Sequence, residues 1–373
     1  MKILSRKVAI IGAGNGGVSI GAFLSLKGCE VNIYDKFPSV LGGIAKTGGI
    51  ELKGVSLNGF AKFNRITNNI TEAIEGCHVI MVVTPAFAHK EIARECAPYL
   101  MSGQHVILNP GRTAGAIEFY KTARDVNPEA EFVVAEAQTL IYACRKTGPS
   151  EATIFKVKDD VTVAALPATE TDEILADLNV FYPEFTKAEN VLETSFLNVG
   201  SIFHPAPTIL NIARIEAKED FEYYMEGISP CVGNVLEMLD SERVAVAKAF
   251  GVKTLTVKEW LDDAYEVKFN DTDSIYDAVQ KQVGYHGIMA PKDPRTRYIT
   301  EDVPMSLVPL SEFGHATGVA TSTMDAMIDL ANIIHKADYR KTGRNLKSLG
   351  IEGLDIESLK RFVNEGIGSA IKH

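Results

Sequence analysis

Cysteine is scarce and poorly spaced for metal or disulfide chemistry. The chain carries five, Cys29, Cys77, Cys96, Cys144 and Cys231, an odd number with no CxxC pair. That argues against a disulfide framework and a cysteine zinc site, and it suits a reducing, cytoplasmic setting. No other metal-ligand spacing stands out, so no metal is expected. Clustered basic residues are also missing. Lys and Arg number 38 against 48 Asp and Glu, for a formal net charge of -10, a balance that excludes nucleic acid and anionic membrane surfaces as natural partners. No uninterrupted apolar run is long enough to span a bilayer. The two N-terminal lysines precede an apolar stretch broken by glycines, which does not read as a signal peptide. Internal repeats and low-complexity segments are absent too.

What remains is an ordinary globular composition, 46% hydrophobic and 23% charged, over 373 residues. That length predicts two domains. In the first half, short apolar runs alternate with helical patterns. Strands are expected at Lys7–Ile11, Glu30–Tyr34, His78–Val83, His105–Leu108 and Phe132–Ala135. Helices are expected at Asn15–Lys27, Thr71–Glu75, Ala88–Tyr99 and Thr113–Ala123. Such alternation means βαβ units around a parallel sheet. Thr153–Leu166 reads as two β-rich runs joined by Asp159-Asp160, a hairpin at the sheet edge, followed by a helix at Thr171–Phe181. From about Thr194 onward helical spacing dominates, with helices expected at Val232–Phe250, Trp260–Tyr265, Ser274–Val283, Val308–Phe313, Ser322–His335 and Ile356–Asn364. The expected fold is therefore α/β: an N-terminal doubly wound parallel sheet over residues 1–188, then an all-α domain over 189–373.

Gly12-Ala13-Gly14-Asn15-Gly16-Gly17 fits G-x-G-x-x-G, with a strand running in and a helix running out. Gly12 permits the tight turn, Gly14 lets the backbone approach a pyrophosphate, and Gly17 lets the helix pack on the strand. The N–H groups of the helix start then face the phosphates, as in a Rossmann domain. Asp35, at the end of the second strand, is placed to accept bonds from the adenosine ribose, which favours NAD. Lys36 beside it keeps NADP open. Thr84-Pro85 closes the next run and is expected beside the cofactor, as is Asn109-Pro110-Gly111-Arg112 at the end of the run after that.

Hydride transfer that makes or consumes a proton calls for a general acid/base, and histidine suits neutral pH. Of the eight histidines, His78, His89, His105, His315, His335 and His373 read as structural or solvated. His204 precedes Pro205 and so falls at a helix break; His286 in Gly-Tyr-His-Gly is a rival. The segment from Arg295 to Pro304 packs Arg297, Glu301 and Asp302 together. It suits a carboxylate-binding arginine and an acid that orients a histidine.

Across almost its whole length the sequence resembles the octopine/nopaline (opine) dehydrogenase family. The matching elements are VAIIGAGNGG, NPGRTAG, AEAQTLIYACR (Ala135–Arg145), the Asn198 to Pro205 segment, and RYITEDVPMSLVPLS (Arg297–Ser311). The resemblance implies a Rossmann domain followed by a helical domain. It implies NAD(P)H-dependent reductive condensation of a 2-keto acid, commonly pyruvate, with the amine of an amino acid, and the reverse oxidation. By position it makes His204 the catalytic histidine, Asp302 its paired acid and Arg297 a substrate-carboxylate cation. Arg145 and Gln138 become keto-acid or nicotinamide contacts. Small-molecule substrates and a homodimer are the expected partners. The runner-up is a glycerol-phosphate or ketopantoate type of hydroxyacid or alcohol dehydrogenase, which would use a lysine such as Lys218 or Lys248. A non-catalytic dinucleotide sensor is the remaining alternative.

Overall fold

The computed structural model describes residues 7–366. They divide into two compact units, 7–194 with 361–366, and 195–360. The first unit is built on twelve short strands: β1 (Lys7–Ile11), β2 (Glu30–Tyr34), β3 (Gly49–Gly54), β4 (Gly59–Lys62), β5 (Arg65–Thr67), β6 (Val79–Val82), β7 (Gln104–Leu108), β8 (Phe132–Ala137), β9 (Tyr142–Gly148), β10 (Glu151–Val157), β11 (Val161–Leu166) and β12 (Phe185–Lys187). Eight form one sheet in the order β12-β11-β8-β7-β6-β1-β2-β5. From β5 to β8 the neighbours are all parallel, and the order reverses direction at β1, the topological switch point of a doubly wound fold. The Val/Ile-rich runs of β1, β6 and β7 follow from that position, since helices cover both faces of a parallel sheet. Ile10, Ile33, Val82 and Val106 are fully buried.

Two expectations are corrected in this unit. The runs within Thr153–Leu166 do not form a hairpin with each other. β10 joins a separate four-stranded sheet, β4-β3-β10-β9, paired antiparallel to β9 through the Gly148-Pro149-Ser150 turn. β11 instead extends the main sheet, antiparallel to β8. The chain also returns: residues 361–366 belong to the first unit, whereas the helical domain was expected to run to the end. Phe362 is buried near the Tyr120 ring, with centroids 6.5 Å apart. Asn190 Nδ2 donates to Asn364 Oδ1 at 3.0 Å. Phe362 and Val363, both buried, give the end of the helix Ile356–Glu365 an apolar face. The division near residue 194 falls a few residues after the expected boundary at 189.

The second unit is helical. Its longest helix, Pro230–Ala249, starts with a side-chain cap from Ser229 and a proline in its first turn, both favourable start signals. Ser322–His335 coincides with the expected helix. The only β feature of this unit among the described residues is an isolated bridge between Glu222 and Met289. A fully buried arginine ties this unit together. Arg243 donates from Nε to Asp240 Oδ1 at 3.1 Å, and from its two terminal nitrogens to Thr254 Oγ1, the Leu255 carbonyl and the Phe196 carbonyl. Asp240 Oδ2 accepts from the Val257 N–H at 2.8 Å. Removing one partner of such a pair leaves a buried charge uncompensated, which costs about 3–5 kcal/mol. Arg243→Met is therefore expected to destabilise the chain by about 3 kcal/mol in urea unfolding. A loss below about 1 kcal/mol would show that the network is not a structural tie.

Candidate active site

The turn from β1 into the helix Asn15–Leu26 is shaped by absent side chains. Gly12 has φ +110°, where an L side chain is strained. A Cβ there would also lie 2.5 Å from the Val83 carbonyl oxygen, and one at Gly17 would lie 1.8 Å from the Gly12 oxygen. Gly16 is pressed between Val83 and Leu140. Gly14 differs, because a Cβ there would meet nothing within 4 Å. Its neighbourhood is open, with no packing reason of its own for glycine, and that is the residue required to let a pyrophosphate approach the backbone. The loop thus fits a dinucleotide. Asn15 is held in place by the strand beyond: its Oδ1 accepts from the Lys146 N–H at 3.0 Å.

Asp35 closes the loop from the side. Its Oδ2 accepts from the Ala13 N–H at 2.9 Å and its Oδ1 from the Phe37 N–H at 3.0 Å, which orients the carboxylate and leaves lone pairs for ribose hydroxyls. The adjacent Lys36 is engaged elsewhere, paired with Glu91 and lying 3.8 Å from Glu95. Thr84 follows β6 and touches the loop, with its Cγ2 2.9 Å from where a Gly12 Cβ would stand. Its Oγ1 is buried with no partner among the described residues. Pro85 follows directly. Lys146 was not anticipated from sequence. Burial lowers its pKa, which the Asp35 charge partly offsets, and its Nζ donates to the Val40 carbonyl at 3.0 Å.

Other residues gather at the carboxyl edge of the main sheet. Gln138 directly follows β8, and its N–H donates to the Thr162 carbonyl at 2.9 Å. Arg112 follows β7 with φ +60°. Near it stands Lys158, whose ammonium donates to Thr139 Oγ1 at 2.6 Å. Burial, helped by the Arg112 and Lys156 charges, pushes the Lys158 pKa down to about 8. No motif marked this lysine in the sequence. Arg145 does not share the contacts of its strand neighbours. It is exposed on β9, while its neighbours Cys144 and Lys146 carry the contacts to Asn15. Successive side chains on a strand point to opposite faces, so Arg145 faces away from the glycine loop.

In the helical unit the chain breaks at His204, between the helices Gly200–Phe203 and Pro205–Leu210. Pro205 supplies no N–H and disfavours a continuous helix. The break fixes the histidine on three sides. The Tyr223 and Thr208 hydroxyls each donate to the His204 carbonyl oxygen at 2.7 Å. Burial pushes the Tyr223 phenol well above its ordinary pKa, so it stays a neutral donor. The Tyr298 ring stacks on the imidazole, with centroids 4.4 Å apart and planes 16° apart. His204 Nδ1 lies 2.8 Å from Asp302 Oδ2.

Asp302 is buried, with only 1% of its side chain exposed, against 19% for His204. It enters a π-helical turn, Val303–Leu307, a form frequent at functional sites. A carboxylate on Nδ1 fixes the tautomer and leaves Nε2 to exchange a proton. Arg297 precedes the stacked Tyr298, and its Nε and Nη2 both lie 2.5 Å from Glu301 Oε2. Its side chain is 59% exposed and Glu301's only 3%, so a buried acid holds the arginine from one side.

Four of the other described histidines have unrelated surroundings. His286 is exposed and 3.4 Å from Glu222. His315 pairs with Asp325 at 3.0 Å. His335 lies between the Tyr339 hydroxyl and the Pro294 carbonyl, and His89 is fully buried. His373 lies outside the described residues.

A glycine-loop parallel sheet, with a carboxylate beside the loop, together with a helical unit carrying a histidine–carboxylate pair, defines a nicotinamide-dependent dehydrogenase. Comparison with known proteins narrows the class. Residues 187–335 match the α-helical domain of NAD/NADP octopine/nopaline dehydrogenase, and residues 8–109 match ketopantoate reductase PanE/ApbA. The chain is 39% identical over 361 residues to an opine dehydrogenase of Arthrobacter sp. (strain 1C), covering 97% of this chain and 99% of the relative. It is 25% identical to an octopine dehydrogenase of Pecten maximus, covering 87% of this chain and 89% of that one. A solved octopine dehydrogenase with NADH and L-arginine has a TM-score of 0.80 at 21% identity, covering 98% and 99% of the two chains. The chain belongs to the opine dehydrogenase family and is an NAD(P)-dependent oxidoreductase acting on CH–NH donors.

Gly14→Ala separates packing from ligand approach. It is expected to leave stability within about 0.5 kcal/mol in urea unfolding, while weakening NADH at least about tenfold in a fluorescence titration. Unchanged NADH affinity would show that the loop does not cradle the pyrophosphate.

Proposed function

We propose that the chain joins the amino group of an amino acid to a 2-keto acid, pyruvate, and reduces the resulting imine to a secondary amine dicarboxylate, with the reverse oxidation also open to it. The observation that carries this reading is the 2.8 Å contact between His204 Nδ1 and Asp302 Oδ2, made by residues 98 positions apart. Related solved structures fit it: one octopine dehydrogenase holds NADH and L-arginine, another NADH and pyruvate.

The bound nicotinamide supplies the hydride, and the protein supplies position and charge. His204 Nε2 exchanges the proton with the substrate, and Asp302 holds the ring in the tautomer that this needs. Arg297, braced by Glu301, holds a substrate carboxylate. Gln138, Arg112 and Lys158 line the carboxyl edge of the sheet, where ligands of open α/β sheets bind. Lys158 and Arg112 lend that edge positive charge suited to an anionic keto acid. Asp35 disfavours a 2′-phosphate, so NAD is preferred over NADP, and Lys36 is occupied by Glu91 and Glu95. Five free thiols accord with a reducing cytoplasm. Leu330 and Ile333, exposed on the helix Ser322–His335, offer an apolar surface for a homodimer.

Two measurements test this reading. NADH oxidation, screened over keto acids and amino acids, is expected only when both partners are present. Reduction of a keto acid alone would make the chain a hydroxyacid dehydrogenase, and binding of NADH without turnover would make it a sensor. His204→Ala is expected to lower turnover by roughly 10²–10⁴-fold with NADH affinity retained. Near-normal turnover would remove the histidine from the mechanism.

A further inference from the structure

At the amino edge of the main sheet, the end opposite the glycine loop, three metal-capable side chains meet. Among the described residues, His78, His105 and Asp177 place one ligand atom each within 4.8 Å of one another. His78 immediately precedes β6, and His105 is the second residue of β7. β11 runs against its neighbour β8 and delivers the helix that follows it, Thr171–Leu178, to this same edge, which brings Asp177 over the two rings. His105 Nδ1 lies 2.7 Å from Asp177 Oδ2, and His78 Nε2 lies 2.8 Å from the same oxygen. The rings are 4.5 Å apart.

This convergence has a charge requirement. Both imidazoles point a nitrogen at one carboxylate oxygen, and the far nitrogen of His105, Nε2, lies 3.9 Å from Glu173 Oε1. A neutral His105 that donates from Nδ1 to Asp177 turns an unprotonated Nε2 toward the Glu173 carboxylate, lone pair against anion. A cation on the Nδ1 side reverses that. The proton then sits on Nε2 and faces the Glu173 carboxylate 3.9 Å away, an attraction that acts at longer range in the sense of a carboxylate–histidine–metal arrangement. Two imidazole nitrogens and one carboxylate form a borderline-soft set suited to zinc, leaving a fourth position for water. Zinc bonds of about 2.0–2.1 Å place tetrahedral ligand atoms roughly 3.3 Å apart. The two histidine–carboxylate spacings need to open by about half an ångström, while the two imidazole nitrogens already lie within 4.8 Å of one another. Access is available too: His105 and Asp177 are buried, but 28% of the His78 side chain and 66% of that of Glu173 are exposed.

We propose that His78 Nε2, His105 Nδ1 and Asp177 Oδ2 form a divalent transition-metal site, zinc by preference, with Glu173 orienting His105. The ion pins β6, β7 and the helix Thr171–Leu178 to one another, remote from the glycine loop, and its role is structural. No local motif announces it, since His105 and Asp177 are 72 residues apart.

The test is a Zn²⁺ titration of the full chain after chelator treatment, repeated with Co²⁺ to read the visible band of a four-coordinate site. The wild type is expected to bind one equivalent more than His78→Gln or Asp177→Asn. Saturating Zn²⁺ is expected to raise its Tm by roughly 5 °C but not theirs. Glu173→Gln, an exposed change that spares the fold, is expected to weaken Zn²⁺ by about tenfold. Equal stoichiometry and equal Tm shifts in wild type and variants would overturn the site, as would unchanged affinity in Glu173→Gln if the buried variants fail to fold. The first outcome would leave the cluster as a proton-holding hydrogen-bond network.

Discussion

The contact between His204 Nδ1 and Asp302 Oδ2 is the constraint around which the helical unit is arranged. A buried carboxylate is costly unless a donor or cation meets it, so Asp302 and His204 fix one another. The surrounding irregularities serve the same end. Pro205 breaks the helix so that the imidazole leaves the helical path. The π-helical turn after Asp302 sets the direction of the acid. Tyr298 stacks on the ring, while Tyr223 and Thr208 hold the backbone carbonyl behind it. Each device removes a freedom the histidine would otherwise have, which is what preorganisation for proton exchange requires.

The first unit solves a different problem, bringing backbone rather than side chains to a ligand. Gly12 and Gly17 are needed by the protein itself, since side chains there would strike the Val83 and Gly12 carbonyls. Gly14 has no such packing requirement, since a Cβ there would meet nothing within 4 Å. Asp35 then braces the loop through Ala13 while keeping its carboxylate available. Glycines that packing demands are thus separable, residue by residue, from one that it does not.

The local features were legible in the sequence. The glycine spacing, the strand before it and the acid at the end of β2 lie within one βαβ unit, and the helix Ser322–His335 shows an unbroken helical period. His204 was visible as a histidine at a proline break, but its role came from the family resemblance, because Asp302 is distant in sequence. Features made through space were not legible. Tyr298 and Tyr223 reach the site by ring contacts that leave no periodic trace. Lys158 owes its depressed pKa to burial beside Arg112. The small sheet leaves little trace in the sequence because β3 and β4 are short and partly exposed. The return of the last helix to the first unit depends on which core its apolar face finds.

A double-mutant cycle on His204 and Asp302, read as kcat with both substrates saturating, tests the central claim most directly. If the two act as one proton-handling unit, their losses are not additive in free energy. Asp302→Asn alone then costs orders of magnitude, and adding it to His204→Ala costs almost nothing more. Losses that multiply across the cycle would show that the two residues act independently, and would contradict the account.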